Sequence, residues 1–263
     1  MKFAVVAAFA AVTVSACATT QTSDTGGVYD PWEGWNRRVF AFNEAVDKAA
    51  FEPVARAYRV ATPSLFREGV NNFLSNLRQP VVFVNTVLQG NPDASGETFG
   101  RFLINSTVGI AGIFDVASTL GVARHNEDFG QTLGVWGVDA GPYVVLPVFG
   151  PSNLRDMFGR GADTAFDPLT WTEFDDPDLD DQIMVTRSVV GAIAARESLI
   201  ETFEVLRDQP EPYVAMRRTY SSQREAAIRN GRIEDDPYKD LPDFGDFDEF
   251  GFEEESGQDQ PQE

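Results

Sequence analysis

Residues 102–122 read FLINSTVGIAGIFDVASTLGV, and Asp115 is the one charged residue among them. The chain is otherwise rich in charge. Ser106, Gly109 and Gly112 are spaced three apart between large apolar residues. An apolar stretch with small residues at this spacing predicts a helix around which the rest of the fold is organised.

A helix over this stretch would have two distinct sides. One is apolar and carries Leu103, Ile110, Phe114 and Ala117. The small residues leave another side that a backbone or an acyl chain can approach closely. Two interpretations remain open, a helix buried in the core and a helix that faces lipid.

The N-terminus favours the lipid-facing interpretation. Lys2, an apolar run over residues 3–14 and small residues before Cys17 are the order of features in a secretory signal. The end of the run resembles a lipobox, so residues 1–16 are interpreted as a signal peptide and Cys17 as the acylated first residue of a lipoprotein. An ordinary signal with an accidental cysteine is the alternative. Ala18 after the cysteine indicates the outer membrane.

Composition limits the classes of function and the boundaries of the folded part. The net charge of −20 argues against nucleic acid as a partner. Residues 17–29 are small and polar and predict a flexible tether. Residues 232–263 form an acidic tail with four phenylalanines, for which disorder is expected and docking on a basic carrier is the alternative. Residues 30–231 remain as one folded domain.

Prolines and apolar periodicity predict a series of helices. Asp30-Pro31-Trp32-Glu33 offers an N-cap, a proline at the first helical position and a carboxylate at the third. Four prolines each open a further segment with helical periodicity: Pro53, Pro63, Pro80 and Pro92. For residues 80–88, which are rich in valine, a strand is the alternative.

The second half of the chain contains a different kind of segment. Three prolines within residues 141–156 impose an extended, turning backbone, and Ser152 can cap a helix that begins at Asn153. A long helix is predicted for residues 180–206. A final helix is predicted to start at Pro210-Glu211-Pro212-Tyr213 and to stop at Asn230-Gly231, a helix C-cap.

Residues with catalytic or metal-binding chemistry are scarce. His125 is the one histidine, so a multi-histidine metal site cannot be built, and its polar neighbours are typical of a surface loop. The glycines match neither a phosphate loop nor a dinucleotide fingerprint. We therefore expect no cofactor, no metal and no catalytic residue, and interpret the chain as a binding or conducting protein instead of an enzyme.

Several motifs, in unbroken order over residues 29–231, resemble the signature of the MlaA (VacJ) family of outer-membrane lipoproteins. The first helix contributes Asp30-Pro31-Trp32-Glu33-Gly34-Trp35-Asn36-Arg37 and Phe42-Asn43. The centre contributes Gly130-Gln131-Thr132-Leu133-Gly134, Gly141-Pro142-Tyr143, Leu146-Pro147, Gly150-Pro151-Ser152 and Arg155-Asp156. Glu211-Pro212-Tyr213 is also similar, although the family more usually has aspartate where Glu211 stands.

The resemblance implies a fold and a function. The fold is all-α, a ring of amphipathic helices embedded in one leaflet with a central amphipathic channel. The function is removal of mislocalised phospholipids from the outer leaflet of the outer membrane and their transfer to the periplasmic lipid carrier MlaC, often by a protein bound to a trimeric porin. Localisation is then a lipid anchor in the outer membrane with the protein facing the periplasm.

The resemblance also implies roles for particular residues. The lipid path is predicted at Phe102, Leu103, Gly109, Ile110, Gly112, Ile113 and Phe114. Phe42 and Asn43 are predicted to hold the channel shut or to set its depth in the membrane. A scaffold role is predicted for Tyr143, Leu146, Pro147, Gly150, Pro151, Arg155 and Asp156.

Two other functions stay open beside lipid transfer. A structural lipoprotein that clamps porins would show no transfer of labelled phospholipid to a soluble acceptor. An envelope phospholipase would release free fatty acid and depend on an acid or a serine, and the sequence singles out no such residue.

Overall fold

The computed structural model describes residues 28–172 and 177–229. The predicted signal peptide, Cys17, the tether up to residue 27 and the acidic tail lie outside the described residues. So does the C-cap predicted at Asn230.

The described chain is mostly helical, as predicted. Its helices are α1 (Glu33–Val46), α2 (Glu52–Ala61), α3 (Ser64–Leu88), α4 (Pro92–Thr107), α5 (Val116–Thr119), α6 (Phe129–Val135), α7 (Leu154–Phe166), α8 (Pro177–Ser198), α9 (Ile200–Arg207) and α10 (Pro212–Arg229). A π-helical turn, Asp47–Phe51, joins α1 to α2, and a 3-10 turn, Pro168–Thr170, follows α7. Strands β1 (Tyr143–Leu146) and β2 (Gly150–Asn153) stand between α6 and α7.

Helix α1 begins later than the sequence predicted. Its first residue is Glu33 and its N-cap is Trp32, without a side-chain capping bond. The Asp30 carboxylate instead accepts hydrogen bonds from Asn36 Nδ2 and Arg217 Nη1, each at 2.8 Å. The N-cap predicted at Asp30 is therefore wrong, because a buried cation and amide use this carboxylate.

Three of the four prolines stand at helix starts, as predicted. Pro53 is the second residue of α2, Pro63 precedes α3 and Pro92 opens α4. Pro80 instead lies inside α3, which runs through it for 25 residues. The helical interpretation of residues 80–88 is confirmed, and the separate helix start predicted at Pro80 is wrong.

Residues 102–122 do not form one helix. Helix α4 ends at Thr107, a turn follows, and α5 occupies only four residues. The side predicted to carry Leu103, Ile110, Phe114 and Ala117 is therefore divided: Ala117 is buried, and the other three are exposed.

The proline-rich segment forms a β-hairpin, the one departure from an all-helical fold within the described residues. β1 pairs antiparallel with β2, with Tyr143 opposite Asn153 and Leu146 opposite Gly150. Helix α7 then begins one residue later than predicted. Its N-cap is Asn153, whose side chain accepts from the Asp156 amide, while Ser152 is buried in β2.

The long helix predicted for residues 180–206 is two helices. α8 and α9 meet at Leu199, where the backbone leaves helical geometry. α10 begins at Pro212, within the four residues predicted to start it.

The described part of the chain has many polar side chains in its interior and many large apolar side chains on its exterior. A small apolar cluster of Val39, Tyr143, Val145 and Tyr213 joins α1, the hairpin and α10. Elsewhere many buried side chains are polar, and large apolar side chains are exposed more often than buried. Within the described residues, no helix combines the length and the apolar character needed to cross a bilayer.

Helix α3 shows this inversion clearly. Its buried positions include Val81 and Val82, but also four polar residues: Asn76, Gln79, Asn85 and Thr86. Leu65 is 70% exposed and Phe66 is also exposed. The amphipathic pattern was predicted, but the polar side is the one that faces the protein near the middle and end of α3.

Candidate functional site

The segment between α4 and α5, residues 108–115, which we call the α4–α5 loop, has an unusual backbone. Ile110 and Ala111 have positive φ angles of 53° and 55°, and Gly112 follows at 91°. A non-glycine residue in this region costs about 1 kcal/mol, and β-branched residues are rare there. Two backbone bonds stabilise the turn, from Gly112 N to Asn105 O at 2.7 Å and from Phe114 N to Gly109 O at 2.9 Å.

Ion pairing and side-chain hydrogen bonds fix the end of the loop to α4. Arg101 is buried, and its Nη2 donates to both oxygens of Asp115 at 2.8 Å. Asn105 donates to the same carboxylate at 2.9 Å and accepts from the Ala117 amide at 2.9 Å. Burial raises the pKa of Asp115, but hydrogen bonds from Ser118, Asn105 and Arg101 outweigh it and lower the pKa to about 2.

The two glycines predicted on the lipid path lie against protein atoms. A Cβ on Gly109 would stand 2.2 Å from Phe114 O, and a Cβ on Gly112 would stand 2.3 Å from Asn76 Cβ. The sequence left open whether a backbone or an acyl chain approaches these glycines. Protein atoms occupy the space beside both glycines. Gly109 and Gly112 therefore shape the loop.

The large residues of the predicted lipid path have a different environment. Ile110 is 61% exposed, and Leu103, Ile113 and Phe114 are exposed as well. Phe102 is half-buried on α4. Four apolar side chains are thus exposed on the last part of α4 and the loop after it, where Arg101 and Asn105 are buried.

Phe42 and Asn43 are adjacent on α1 but point to different surroundings. Asn43 Nδ2 donates to Leu146 O at 2.9 Å, and its Oδ1 accepts from Val148 N at 2.7 Å. Both groups belong to the hairpin turn, so Asn43 joins α1 to that turn. Phe42 is exposed.

The predicted scaffold residues lie on the hairpin and the first turn of α7. Asn36 of α1 pairs with the edge of β1, donating to Tyr143 O at 3.0 Å and accepting from Val145 N at 2.9 Å. Gly150 has a φ of 77°, which suits glycine at the turn into β2. Pro147 is exposed at the turn, whereas Leu146 and Pro151 are half-buried.

Asp156 and Arg155 are buried at the start of α7. Asp156 Oδ2 lies 2.7 Å from Arg224 Nε and accepts from the Tyr220 hydroxyl. Arg224 also forms two bonds to Asp128, of 2.6 and 2.9 Å. Burial raises the pKa of Asp128, but the Arg224 guanidinium outweighs it and lowers the pKa to about 2.

Sequence reasoning predicted the helix that supplies these cations but missed the role of its polar face. Tyr213, Arg217, Tyr220 and Arg224 occur at intervals of 4, 3 and 4 along α10, which places them on one helical face. The first two bind Asp30, with Arg217 only 1% exposed, and the last two bind Asp156. In the sequence these four residues form a polar stripe at helical spacing. Such a stripe looks like a solvent-exposed helix face unless its carboxylate partners are known.

The described residues contain no group of three or more His, Cys, Asp or Glu that could hold a metal ion. His125, predicted on the surface, is half-buried, and its Nε2 lies 2.6 Å from Glu97 Oε2. This pair attaches the polar segment before α6 to α4.

Known proteins match most of the chain. The family model described as MlaA lipoprotein matches residues 28–227. An uncharacterized protein of Rickettsia prowazekii is 40% identical over 204 residues, which are 77% of this chain and 79% of the relative. The intermembrane phospholipid transport system lipoprotein MlaA of Escherichia coli K12 is 36% identical over 219 residues, 82% of this chain and 84% of that protein.

A solved structure has the same fold. It comes from work on the structural basis for maintenance of bacterial outer membrane lipid asymmetry, and it superposes with a TM-score of 0.67 at 36% identity. The match covers 76% of this chain and 98% of the solved one. The family match, the relatives and the shared helical fold together show that this chain belongs to the MlaA lipoprotein family.

Proposed function

We propose that this protein removes mislocalised phospholipids from the outer leaflet of the outer membrane, through an amphipathic channel, and passes them to the periplasmic carrier MlaC. The effect would be to maintain the lipid asymmetry of that membrane. The Escherichia coli and Shigella flexneri relatives are named intermembrane phospholipid transport system lipoproteins, which supports this function. The ring of helices around the channel belongs to the same proposal.

The observation that carries the proposal is the inverted polarity of the described chain. Acyl chains need an apolar surface, while a headgroup needs a polar and hydrated route. Asn85, Thr86 and Thr98 are completely buried, whereas residues such as Leu65 and Ile110 are exposed. A soluble protein would gain stability from the opposite arrangement, because exposed apolar area in water is unfavourable.

Within this function, the α4–α5 loop is the proposed contact with acyl chains. Leu103, Ile110, Ile113 and Phe114 supply the apolar side chains, and Phe102 supports them from α4. The Arg101–Asp115 pair helps to hold the strained backbone at Ile110 in place. Backbone strain of this kind tends to occur at functional sites. Gly109 and Gly112 contribute by allowing the loop to adopt this shape.

Phe42 and Asn43 are proposed to set the position of α1 in the membrane. Asn43 binds the hairpin turn, so a displacement of α1 would move that turn with it. Phe42 presents an aromatic ring at the exterior, where rings anchor proteins at the edge of a bilayer. Cys17, once acylated, would hold the domain at the outer membrane beside a trimeric porin.

Reconstitution tests the proposal directly. The full-length lipidated protein is placed in vesicles with a fluorescent phospholipid, and transfer to soluble MlaC is measured. Ile110→Asp should reduce transfer about tenfold or more, because a carboxylate in an apolar path costs ~2–3 kcal/mol. Ser222→Asp, at an exposed position of α10, serves as the control and should leave transfer unchanged.

Two results would contradict the proposal. A wild-type protein that binds porin but transfers no phospholipid would favour a structural lipoprotein. Free fatty acid in the acceptor fraction would indicate a phospholipase.

A further inference from the structure

The end of α3 and the start of α4 border a shallow open cavity of about 540 Å³. It lies at the Gly90–Asn91 turn, at the opposite end of α4 from the α4–α5 loop. Phe83 and Val87 of α3 line one wall, and Phe99 of α4 lines the other. The two phenylalanine rings pack against each other, with centroids 5.6 Å apart, so the two walls meet there. The cavity is thus a slot with aromatic and aliphatic sides.

Gly96 lies on the α4 side of this slot. A Cβ on this residue would meet no atom within 4 Å, so packing within the described chain does not require a glycine here. Glycine inside a helix lowers stability relative to alanine. Its presence leaves the backbone of α4 open to whatever enters the cavity, a common use of glycine where a ligand approaches closely.

The residues that line the cavity are uncharged. The two polar side chains that line the cavity, Asn91 and Ser95, already form hydrogen bonds within the protein. Asn91 Oδ1 accepts from Ala94 N at 3.1 Å, and Ser95 Oγ donates to Asn91 O at 2.7 Å. A ligand that depends on charge or on hydrogen bonds would find little here, whereas a flexible hydrocarbon chain would bury its surface against the walls.

We propose that this cavity binds one acyl chain of a phospholipid, laid along Gly96 and against the packed rings of Phe83 and Phe99. The assignment of the chain to a phospholipid rests on the proposed function, while the preference for a hydrocarbon rests on the walls. Val87 and Phe99 are partly exposed, so the chain enters from the apolar exterior. The site is separate from the α4–α5 loop and would hold a lipid on the other end of the same helix.

Photo-crosslinking on the full-length lipidated protein tests this site. The probe is a phosphatidylethanolamine with a diazirine at the end of one acyl chain, in vesicles of phosphatidylethanolamine and phosphatidylglycerol. Wild-type protein should give cross-links at Phe83, Val87 and Phe99, mapped by mass spectrometry. Cross-linking should saturate as probe is added and decline when unlabelled phospholipid competes.

Gly96→Leu should lower cross-linking in the cavity about tenfold, the loss expected when a side chain displaces roughly two methylene groups. Its melting temperature should not fall, since nothing in the protein lies within 4 Å of the added Cβ. Gly191→Leu is the matched control. Gly191 is also a helical glycine with no atom within 4 Å of an added Cβ, and it lies on α8, so cross-linking should stay at the wild-type level.

Equal cross-linking in the Gly96→Leu and wild-type proteins would overturn the site. So would cross-linking that never saturates, as expected for random contact with membrane lipid. If the unacylated Cys17→Ser protein cross-links much more strongly than wild type, the anchor of the protein itself fills the cavity and the phospholipid assignment is wrong. Failure of wild-type transfer to MlaC with saturable cross-linking retained would overturn the proposed function and leave the site in place.

Discussion

Ile110 and Ala111 are two consecutive residues whose conformations need an explanation. Both have positive φ angles without being glycine, and Ile110 is β-branched as well. Conformations of this kind persist when surrounding contacts fix them. Here the contacts are the Arg101–Asp115 pair and Asn76, whose Nδ2 donates to Ser106 Oγ at 2.9 Å. As a result, the apolar side chain of Ile110 is exposed at a position that a continuous helix could not give it.

Gly112→Ala should destabilise the protein by ~3 kcal/mol, because the methyl group adds a collision with Asn76 to the cost of a positive φ. Gly121→Ala provides the comparison. Gly121 has a φ of 76° but no atom within 4 Å of an added Cβ, so it should cost only ~1 kcal/mol. Thermal unfolding in detergent measures both. Equal losses would mean that Asn76 moves away freely and that the loop is less constrained than its contacts indicate.

Among the elements, α10 joins several others through one polar face. Its face of Tyr213, Arg217, Tyr220 and Arg224 binds carboxylates from the segment before α1, the segment before α6 and the start of α7. Burial together with the Asp30 carboxylate raises the pKa of Tyr213, so that its hydroxyl stays protonated and able to donate. Removing one cation would leave buried carboxylates without their charge partner, which typically costs 3–5 kcal/mol.

The pairing of Asp128 with Arg224 should make α10 docking sensitive to acid. The pKa of Asp128 is about 2 in the folded protein, below its unfolded value near 3.8. A lowered folded pKa adds stability above the unfolded pKa, and this stability is lost as pH falls toward 2. Asp128→Asn should therefore cost ~2 kcal/mol at pH 7 and almost nothing near pH 2.

The difference in unfolding free energy between wild type and Asp128→Asn, followed from pH 7 to pH 2, checks this prediction. Asn can still cap α6, which Asp128 caps through the Gln131 amide, so the variant mainly removes the charge. A difference that stays constant over the whole range would show that the Arg224 pair does not carry the effect.

At the scale of the molecule, the described domain places apolar side chains outside and polar ones inside. Each helix among the described residues is too short or too polar to cross a bilayer. Their exposed apolar faces nevertheless give the described domain a surface suited to lipid. The anchor and this surface would then act together, since one acylated residue and an apolar exterior each add affinity for the membrane.

This arrangement predicts that the domain binds membranes without its anchor. A Cys17→Ser protein exported through a signal peptide of the ordinary type should float with phospholipid vesicles in a density gradient. Adding Leu65→Glu should reduce the floating fraction about tenfold, because one large side chain buried in lipid contributes ~1.5–3 kcal/mol. Recovery of the unacylated protein only in the soluble fraction would contradict a lipid-facing exterior.

Local signals in the sequence were sufficient to predict most of the helices. Pro53, Pro63, Pro92 and Pro212 mark helix starts because proline fixes φ and lacks the amide hydrogen that a first turn does not use. The family motifs also indicated the helical fold that the solved relative shares. These features depend on neighbours along the chain, so they are visible without coordinates.

The tertiary structure decided what local patterns could not. Asp30 pairs with Arg217, which lies on a helix nearly two hundred residues further along the chain. The helix predicted over residues 102–122 is interrupted because Asp115 forms an ion pair with Arg101. Periodicity on α3 gave an apolar and a polar side but not which one faces the protein, because a helix has the same period whether its surroundings are water or lipid. The sequence by itself therefore determined most of the helices, the starts marked by four prolines and the family. Only long-range contacts determined the caps, the broken helix and the inverted interior.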